Sequence, residues 1–416
     1  MIGRLPPSLV LAATQVVVEG SAFLRNLVLA RLIGADNMGL AVAIAIGVRV
    51  FEMIGDFGLE RWLVQVRANK LDNVRGTVHW LQAVKGCLLM GLAIMLAAPL
   101  TSVLQPQLDP AVFALAAIAI GIRGFVNCDY RERQRDRDYV GALQVEGGSH
   151  VLALIAAVPI ALMTRDYSAI AWASIAQATI FCLLSQIVAR RVIAFHFDLA
   201  TLKDALRFGI PVAANAVLMF LAMQGDRLIV AAYFEPRMLA AFAIAAQLTL
   251  LPVLAGARFL LTFDLPRWAQ LAAKSSAWQR QFRFRLIQVC GVAAALAVTL
   301  GTYGNKLVGI LYGSEYVTEA AVLELLACAA GLRLVRAVPN TMLMAMGRTP
   351  MLLAGNLPRI LALTVALIAL AEGAGLVTVA LIGVVSEAIG LVIGLAAVHG
   401  VFQRRSPLPQ SSMGTS

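Results

Sequence analysis

The sequence predicts an all-α integral membrane protein of about twelve transmembrane helices, and three observations predict it. Sixty per cent of the 416 residues are hydrophobic, only 14% are charged, and the mean hydropathy is +0.82, whereas a soluble domain carries roughly 25% charged residues. Apolar runs of about 20 residues, enough to cross a hydrocarbon core of about 30 Å, recur along nearly the whole chain. The runs are continuous and do not alternate with period two, which excludes barrel strands and leaves helices.

The first run, 8–33, follows Arg4 as the apolar part of a signal peptide would. It continues past Glu19 to Ile33 with no small-residue cleavage site, so it is the first span. The second, 38–65, follows a short Gly-Asp-Asn-Met-Gly turn. Polar breaks then separate runs at 80–104, 110–130, 141–164 and 167–189, and again at 207–233, 238–263, 283–304, 316–346, 350–371 and 375–402.

An even number of spans puts both termini on one side, and the basic residues say which. With the N-terminus inside, twenty Lys and Arg fall in cytoplasmic segments, against three (Arg165, Arg237 and Lys306) outside. That asymmetry is what the positive-inside rule requires. It accounts for most of the +11 net charge, so the basic balance reads as topology and not as nucleic-acid binding. Both termini are expected in the cytoplasm.

The polar stretch 190–206 carries Ile193, Phe195 and Phe197 among basic residues, as an interfacial segment on the inner leaflet would. It divides the spans six and six. The expected organisation is an N-terminal six-helix lobe (1–190), a cytoplasmic linker (191–206), a C-terminal six-helix lobe (207–402) and a disordered cytoplasmic tail (403–416). A weak internal repeat fits a duplicated transporter: "RNLVLARLIGADNMGL" from Arg25 lies over "DRLIVAAYFEPRMLAA" from Asp226.

Eleven basic residues remain inside the spans: Arg25, Arg31, Arg49, Arg61, Lys85, Arg123, Arg227, Arg258, Arg333, Arg336 and Arg359. Each central one costs about 2.5–3.5 kcal/mol on insertion scales, so they should face a polar interior. Arg31, Arg61 and Lys85 lie near span ends and can snorkel. Arg49, Arg123, Arg333 and Arg359 are too deep for that and are candidates for a cavity lining.

In the second span Arg49, Glu52, Asp56 and Glu60 recur along one helical stripe. Two readings stand for it: Arg49 and Glu52 pair with each other, or Glu52 or Asp56 exchanges a proton or sodium ion while Arg49 attracts an anion. Arg333 and Arg336 lie about one turn apart, and two such guanidiniums repel unless an anion sits between them. Phosphate matches their donor geometry. Pro252, Pro339 and Pro358 interrupt three C-terminal spans, as kinks or as hinges. Glu19 and Glu387 are also deep and either neutralise arginines or join Glu52, Asp56 and Glu324 as coupling acids. Gly390 and Gly394 have the spacing of close helix packing.

Other chemistries lack their residues. The five cysteines form no CxxC pair and the four histidines no ligand pair, so neither a metal nor a disulfide framework is expected; the cysteines read as buried packing. There is no Walker A motif and hence no ATP hydrolysis by this chain. No cofactor is expected beyond a sodium or proton gradient or the membrane potential.

The stretch "FLRNLVLARLIGADNMGLAVAIAIGVRVFEMIGDFGLERWLVQ" resembles the start of the polysaccharide transporter family, the Wzx-type lipid-linked oligosaccharide flippases of the multidrug/oligosaccharidyl-lipid/polysaccharide exporter superfamily. Ile33-Gly34 through Gly39 matches the family's turn after the first span, and Asp56-Phe57-Gly58-Leu59 its Asp-x-Gly-Leu element. "LKDALRFGIPV", "GDRLIVAAYFEP", "LYGSEY" and "MAMGRTP" resemble later family segments, so the likeness covers most of the chain. Ala232 to Glu235 departs from it, lacking the glycine often found before that turn.

The resemblance implies two six-helix lobes forming a V-shaped central cavity that is cationic. It implies alternating access that moves undecaprenyl-diphosphate-linked oligosaccharide repeat units across the inner membrane for lipopolysaccharide or exopolysaccharide synthesis. A polysaccharide polymerase and export machinery would be partners beside the lipid bilayer. Arg25, Arg49, Arg123, Arg333, Arg336 and Arg359 are then candidate substrate contacts; for Arg25 the alternative is a salt bridge holding the first span. A multidrug or cation antiporter of the same superfamily is the rival, disfavoured because deep arginines outnumber deep acids. A lipid II flippase is expected to add two further spans. A membrane-embedded glycosyltransferase or polymerase would need a sizeable periplasmic loop, and the outer loops here are short.

Overall fold

The computed structural model describes residues 7–66, 71–270, 276–348 and 350–403, and these form helices and no strand. Of the residues counted above as cytoplasmic, Arg4, Arg67, Lys70, Lys274, Arg404 and Arg405 lie outside the described residues, as does the tail beyond Gln403.

The first span is α1 (Pro7–Ile33), joined through Gly34 to α2 (Ala35–Ile54). Gly34 takes φ 79°, a conformation that favours glycine. The expected second span is two helices, because α2 stops at Ile54 and α3 (Leu59–Gln65) starts only after Gly58. The Asp56 side chain accepts the Gly58 N–H at 3.2 Å, and Gly58 is left-handed at φ 60°. Such an Asx turn competes with the helix ladder. Asp56 and Glu60 therefore leave the helix that carries Arg49 and Glu52.

The third span is α4 (Leu71–Met95) with α5 (Ala97–Leu104), and the fourth is α6 (Pro110–Arg123). Asp109 caps α6 by accepting the Ala111 N–H at 2.8 Å, with Pro110 in the first turn. After a loop containing α7 (Asp129–Glu132), the fifth span runs through α8 (Val140–Ala142), a π-helical turn at Leu143–Gly147 and α9 (Gly148–Thr164). The sixth is α10 (Ser168–Val188).

The seventh span, α11 (Leu199–Tyr233), begins eight residues before the expected 207. Asp198 starts it, accepting the Thr201 N–H at 2.8 Å and the Thr201 hydroxyl at 2.5 Å. The eighth comprises α12 (Pro236–Phe259), a π-helical turn at Leu260–Asp264 and α13 (Leu265–Gln270). The last four are α14 (Ser276–Leu311), α15 (Ala320–Ala345), α16 (Pro350–Ala371) and α17 (Leu376–Gln403).

Among the described residues, nine helical segments are long and apolar enough to cross a membrane, and α6 is a shorter apolar helix of 14 residues. The other two rods, α1 and α15, have 27 and 26 residues, ample at 1.5 Å per residue. They are also the rods that carry Arg25 and the Arg333–Arg336 pair. The chain is a multi-pass membrane protein.

The chain packs as two compact units, one running to Ala240 and including Leu311–Glu315, the other holding Ala241–Ile310 and the chain from Tyr316 onward. In the first unit the aligned repeats end within one residue of each other, α1 at Ile33 and α11 at Tyr233. The second of these turns needs no glycine, since Phe234 is extended at φ −121°. The two turns are neighbours: a Cβ on Gly39 would lie 1.8 Å from the Pro236 carbonyl oxygen, so only glycine lets α2 approach the start of α12.

One end of the first unit is tied by ion pairs. Arg75 grips Glu132 with two hydrogen bonds of 2.7 and 2.8 Å. Arg131 bridges Glu60 at 3.1 Å and Glu146 at 2.9 Å, and Arg133 pairs with Asp138 at 2.7 Å. The stretch 189–198 joins this end: the Arg190 N–H donates to Asp129 at 3.0 Å, Asn127 donates to the Arg191 carbonyl at 2.8 Å, and the Phe197 ring meets Trp80 at 4.8 Å. Arg131 thus ties α3 to the π-helical turn, and Arg133, donating to the Val188 carbonyl at 3.3 Å, ties the α7 loop to the end of α10.

In the second unit α17 packs against α15 and α16. A Cβ on Gly390 would lie 2.8 Å from the Gly355 carbonyl oxygen, and Gly394 faces the Pro339 ring. Trp268, Trp278, Phe282, Val338 and Met342 form a buried cluster, with the Trp278 indole donating to the Trp268 carbonyl at 2.9 Å. The cysteines divide: Cys128 is buried and Cys182 half-buried, while Cys87, Cys290 and Cys328 are exposed, a correction to the buried-packing expectation. A free thiol behaves as a small hydrophobe, so hydrocarbon tolerates its exposure in an apolar run.

Candidate functional site

Two gatherings of charged groups stand within the spans, one in each unit. The first lines a cavity of about 800 Å³ between α2, α4, α6 and the π-helical turn at Leu143–Gly147. On its wall the Glu52 carboxylate receives Arg49 at 2.5 Å from its own helix and Arg123 at 3.6 Å from the end of α6. Two guanidiniums share one carboxylate. Arg123 also stacks over the Phe181 ring at 5.9 Å.

The other charges on this wall balance. Arg131 meets Glu60 and Glu146, and Arg61 lies 3.9 Å from Asp56. Lys85 does not snorkel: its Nζ donates to the Gly55 carbonyl at 2.7 Å and faces the Phe57 ring at 6.0 Å. The broken second span supplies that acceptor: the Gly55 carbonyl stands just past the α2 C-terminus, where a cation is favoured, and also accepts the Phe57 N–H at 2.9 Å.

Arg25, on α1, is near Arg123 and has no carboxylate partner among the described residues. One of its Nη atoms donates to Gln177 Oε1 on α10, and its buried Nε makes no hydrogen bond. Gln177 Nε2 in turn lies 3.1 Å from His150 Nε2, and His150 Nδ1 lies 2.8 Å from the Glu146 carbonyl oxygen. His150 itself lines the cavity. Neither Gln177 nor His150 stands out in the sequence, because both are neutral and isolated there; a search for polar residues deep in spans five and six would have found them.

The second gathering surrounds Glu387 on α17, a carboxylate 1% exposed. Arg333 reaches Oε1 at 2.7 Å, Arg336 reaches Oε2 at 3.2 Å, and Arg359 from α16 stands 3.9 Å away. Arg336 also donates to the Gly355 carbonyl at 2.7 Å and to Asn356 at 3.1 Å. Between Arg333 and Arg336, where the sequence calls for an anion, the structure places this carboxylate. Among the described residues, three arginines thus face this one carboxylate.

Glu19 is half-buried on α1 and accepts from Gln15 at 3.0 Å. Glu324 is exposed on α15, and the structure brings it into neither gathering. No group of three or more His, Cys, Asp or Glu suited to a metal ion occurs among the described residues. Outside the spans, burial opposes the charge of Arg131, but Tyr130, Glu60 and Glu146 around it hold its guanidinium protonated beyond the ordinary range. Burial pushes the Cys128 thiol well up, which keeps it protonated.

Comparison with known proteins agrees with this helical membrane architecture. Residues 28–321 match the family described as polysaccharide biosynthesis protein. The chain belongs to that family. It is 21% identical over 350 residues to the lipopolysaccharide biosynthesis protein WzxC of Escherichia coli (strain K12), covering 81% of this chain and 69% of that one. Among solved structures it is similar to the lipid II flippase MurJ in an inward closed conformation, with TM-score 0.73, 12% identity, and coverage of 96% of this chain and 89% of that one. It is also similar to an inward-facing multidrug resistance MATE family transporter, with TM-score 0.70, 13% identity, and coverage of 97% and 100%. The fold is thus that of the MurJ and MATE proteins.

Proposed function

We propose that the protein is a flippase that moves undecaprenyl-diphosphate-linked oligosaccharide repeat units from the cytoplasmic to the periplasmic leaflet of the inner membrane, by alternating access, for surface or secreted polysaccharide. Both termini lie in the cytoplasm on this reading. The observation that carries it is the set of cations in the first unit: among the described residues Arg25 has neutral Gln177 and no carboxylate as its partner, and Arg49 and Arg123 share the carboxylate of Glu52. Cations kept inside spans without matching acids need an anionic ligand to offset their cost, and a lipid diphosphate supplies one inside the bilayer. The three arginines gathered at Glu387 support the same reading. Family membership and the WzxC likeness support a role in polysaccharide synthesis.

The six arginines Arg25, Arg49, Arg123, Arg333, Arg336 and Arg359 are the proposed headgroup contacts or their supports. Movement draws on a proton or sodium gradient, or on the membrane potential acting on the anionic lipid. A polymerase and export machinery receive the product. The MATE likeness also fits a cation antiporter, but a positive interior repels cations. Reconstitution of the purified protein in liposomes with a lipid-linked oligosaccharide tests the proposal: a glycan-modifying enzyme added outside should reach the inner-leaflet pool only when the protein is present, and equal access in protein-free liposomes would refute it.

A further inference from the structure

We propose that His150 is a proton-binding site whose protonation releases Arg25, so that binding of a phosphate or diphosphate at Arg25 takes up a proton. Only the identity of that anion rests on the function proposed above. The chain of hydrogen bonds from Arg25 through Gln177 and His150 to the Glu146 carbonyl has one consistent set of proton positions. A carbonyl only accepts, so Nδ1 of His150 carries the proton there. A guanidinium only donates, so the oxygen of Gln177 must face Arg25. The Gln177 amide nitrogen then faces His150 Nε2, which must accept from it.

Only the neutral ring fits this arrangement. A proton on Nε2 would set N–H against N–H, and Gln177 can answer only by turning its oxygen to the ring and its amide nitrogen to Arg25. The guanidinium then loses its acceptor, with its Nε already unpartnered. Buried cations without partners are costly, so the released Arg25 draws an anion. Conversely, an anion that takes over Arg25 leaves Gln177 free to accept from a protonated ring. By linkage each ligand favours the other.

The surroundings suit such a switch. Arg25 and Glu19 act on the ring from α1 and Arg123 from α6, while α10 contributes the neutral Gln177 and the adjoining π-helical turn contributes Glu146. Across the cavity stand Arg49 and Glu52. Two guanidiniums thus stand near the ring, and an anion at Arg25 offsets the charge of one of them. Because His150 lines the cavity, a proton can reach it through water.

The test uses the full-length protein in lipid nanodiscs, with nitrogen NMR of labelled histidine and arginine side chains. The Arg25 resonance, assigned with Arg25→Lys, should shift with the same midpoint as the His150 ring, assigned with His150→Gln. In Gln177→Glu a carboxylate accepts from both neighbours at once, so Arg25 should no longer follow the ring. An Arg25 signal indifferent to the His150 titration, or one that still follows it in Gln177→Glu, would overturn the switch.

Undecaprenyl diphosphate and inorganic pyrophosphate are then added separately. The lipid should raise the His150 midpoint and bind up to about tenfold more tightly per unit fall in pH between the two midpoints. Pyrophosphate alone doing so would uphold the switch and count against the lipid substrate. No effect of either would overturn the coupling to an anion.

Discussion

Glu387 and Arg333 meet at 2.7 Å within the second unit, and the same carboxylate is faced by Arg336 and Arg359. Removing one partner of a buried ion pair costs about 3–5 kcal/mol because the other charge is stranded. Glu387→Gln removes the carboxylate that all three guanidiniums face and should lower the thermal midpoint in detergent by more than any single Arg→Gln change around it. Arg333→Gln should be milder, since Arg336 and Arg359 remain on the carboxylate. Equal midpoints for the two variants would mean that the cluster is not held by this anion. The double change Arg333→Gln with Arg336→Gln should abolish export from a protein that still inserts.

Glu52 plays a similar part with less burial. Arg49 is 52% exposed, and exposed pairs contribute about 0–1 kcal/mol, so Arg49→Gln should barely change stability. Glu52→Gln leaves Arg49 and Arg123 facing one another, and adding Arg49→Gln to it should recover part of the loss. A double-mutant cycle on thermal midpoints measures this. Export that stays lost in the double variant would assign Arg49 to the substrate.

Much of this architecture is legible from apolar runs. The spans at 141–164, 350–371 and 375–402 coincide with helices to within a residue or two at most ends, because Arg165, Gly347 and Gly373 mark sharp stops with positive φ. Local side-chain caps were harder to see: Asp56 breaks the second span and Asp198 starts the seventh early, each by a hydrogen bond that competes with or completes a helix. Partners across space left no trace in the sequence. Arg333 and Glu387 are 54 residues apart and Arg25 and Gln177 are 152 apart, and no periodicity within one helix says which charge another helix will meet.

Gly39 offers a test of packing. Alanine there must displace the Pro236 backbone by more than an ångström, and overpacking of this kind costs about 1–3 kcal/mol. Gly20→Ala on α1 meets nothing within 4 Å and should be neutral or slightly stabilising, as helix propensity predicts. Thermal unfolding of both variants checks the contrast; a harmless Gly39→Ala would show that α2 and the start of α12 are not in tight contact.

Acid should loosen the 133–138 loop. Burial works against the Asp138 carboxylate, but the hydrogen bond and charge of Arg133, the Val140 N–H and Arg190 hold it below its ordinary value of 3.8. A carboxyl depressed on folding contributes its full stabilisation above the unfolded value and loses it as pH falls through the folded one. Amide protection factors in this loop should be high at neutral pH and fall below about pH 4, and Asp138→Asn should give low protection at every pH. A loop equally protected in that variant would remove Asp138 from the account.

The most direct measurement is the leaflet distribution of undecaprenyl-linked glycans in cells lacking the gene, probed with a periplasmic glycan-modifying enzyme, with and without the gene restored. The account predicts that the glycans accumulate on the cytoplasmic face, that surface polysaccharide is lost, and that both are corrected on restoration. An unchanged distribution would contradict it and turn attention to the export of drugs or cations.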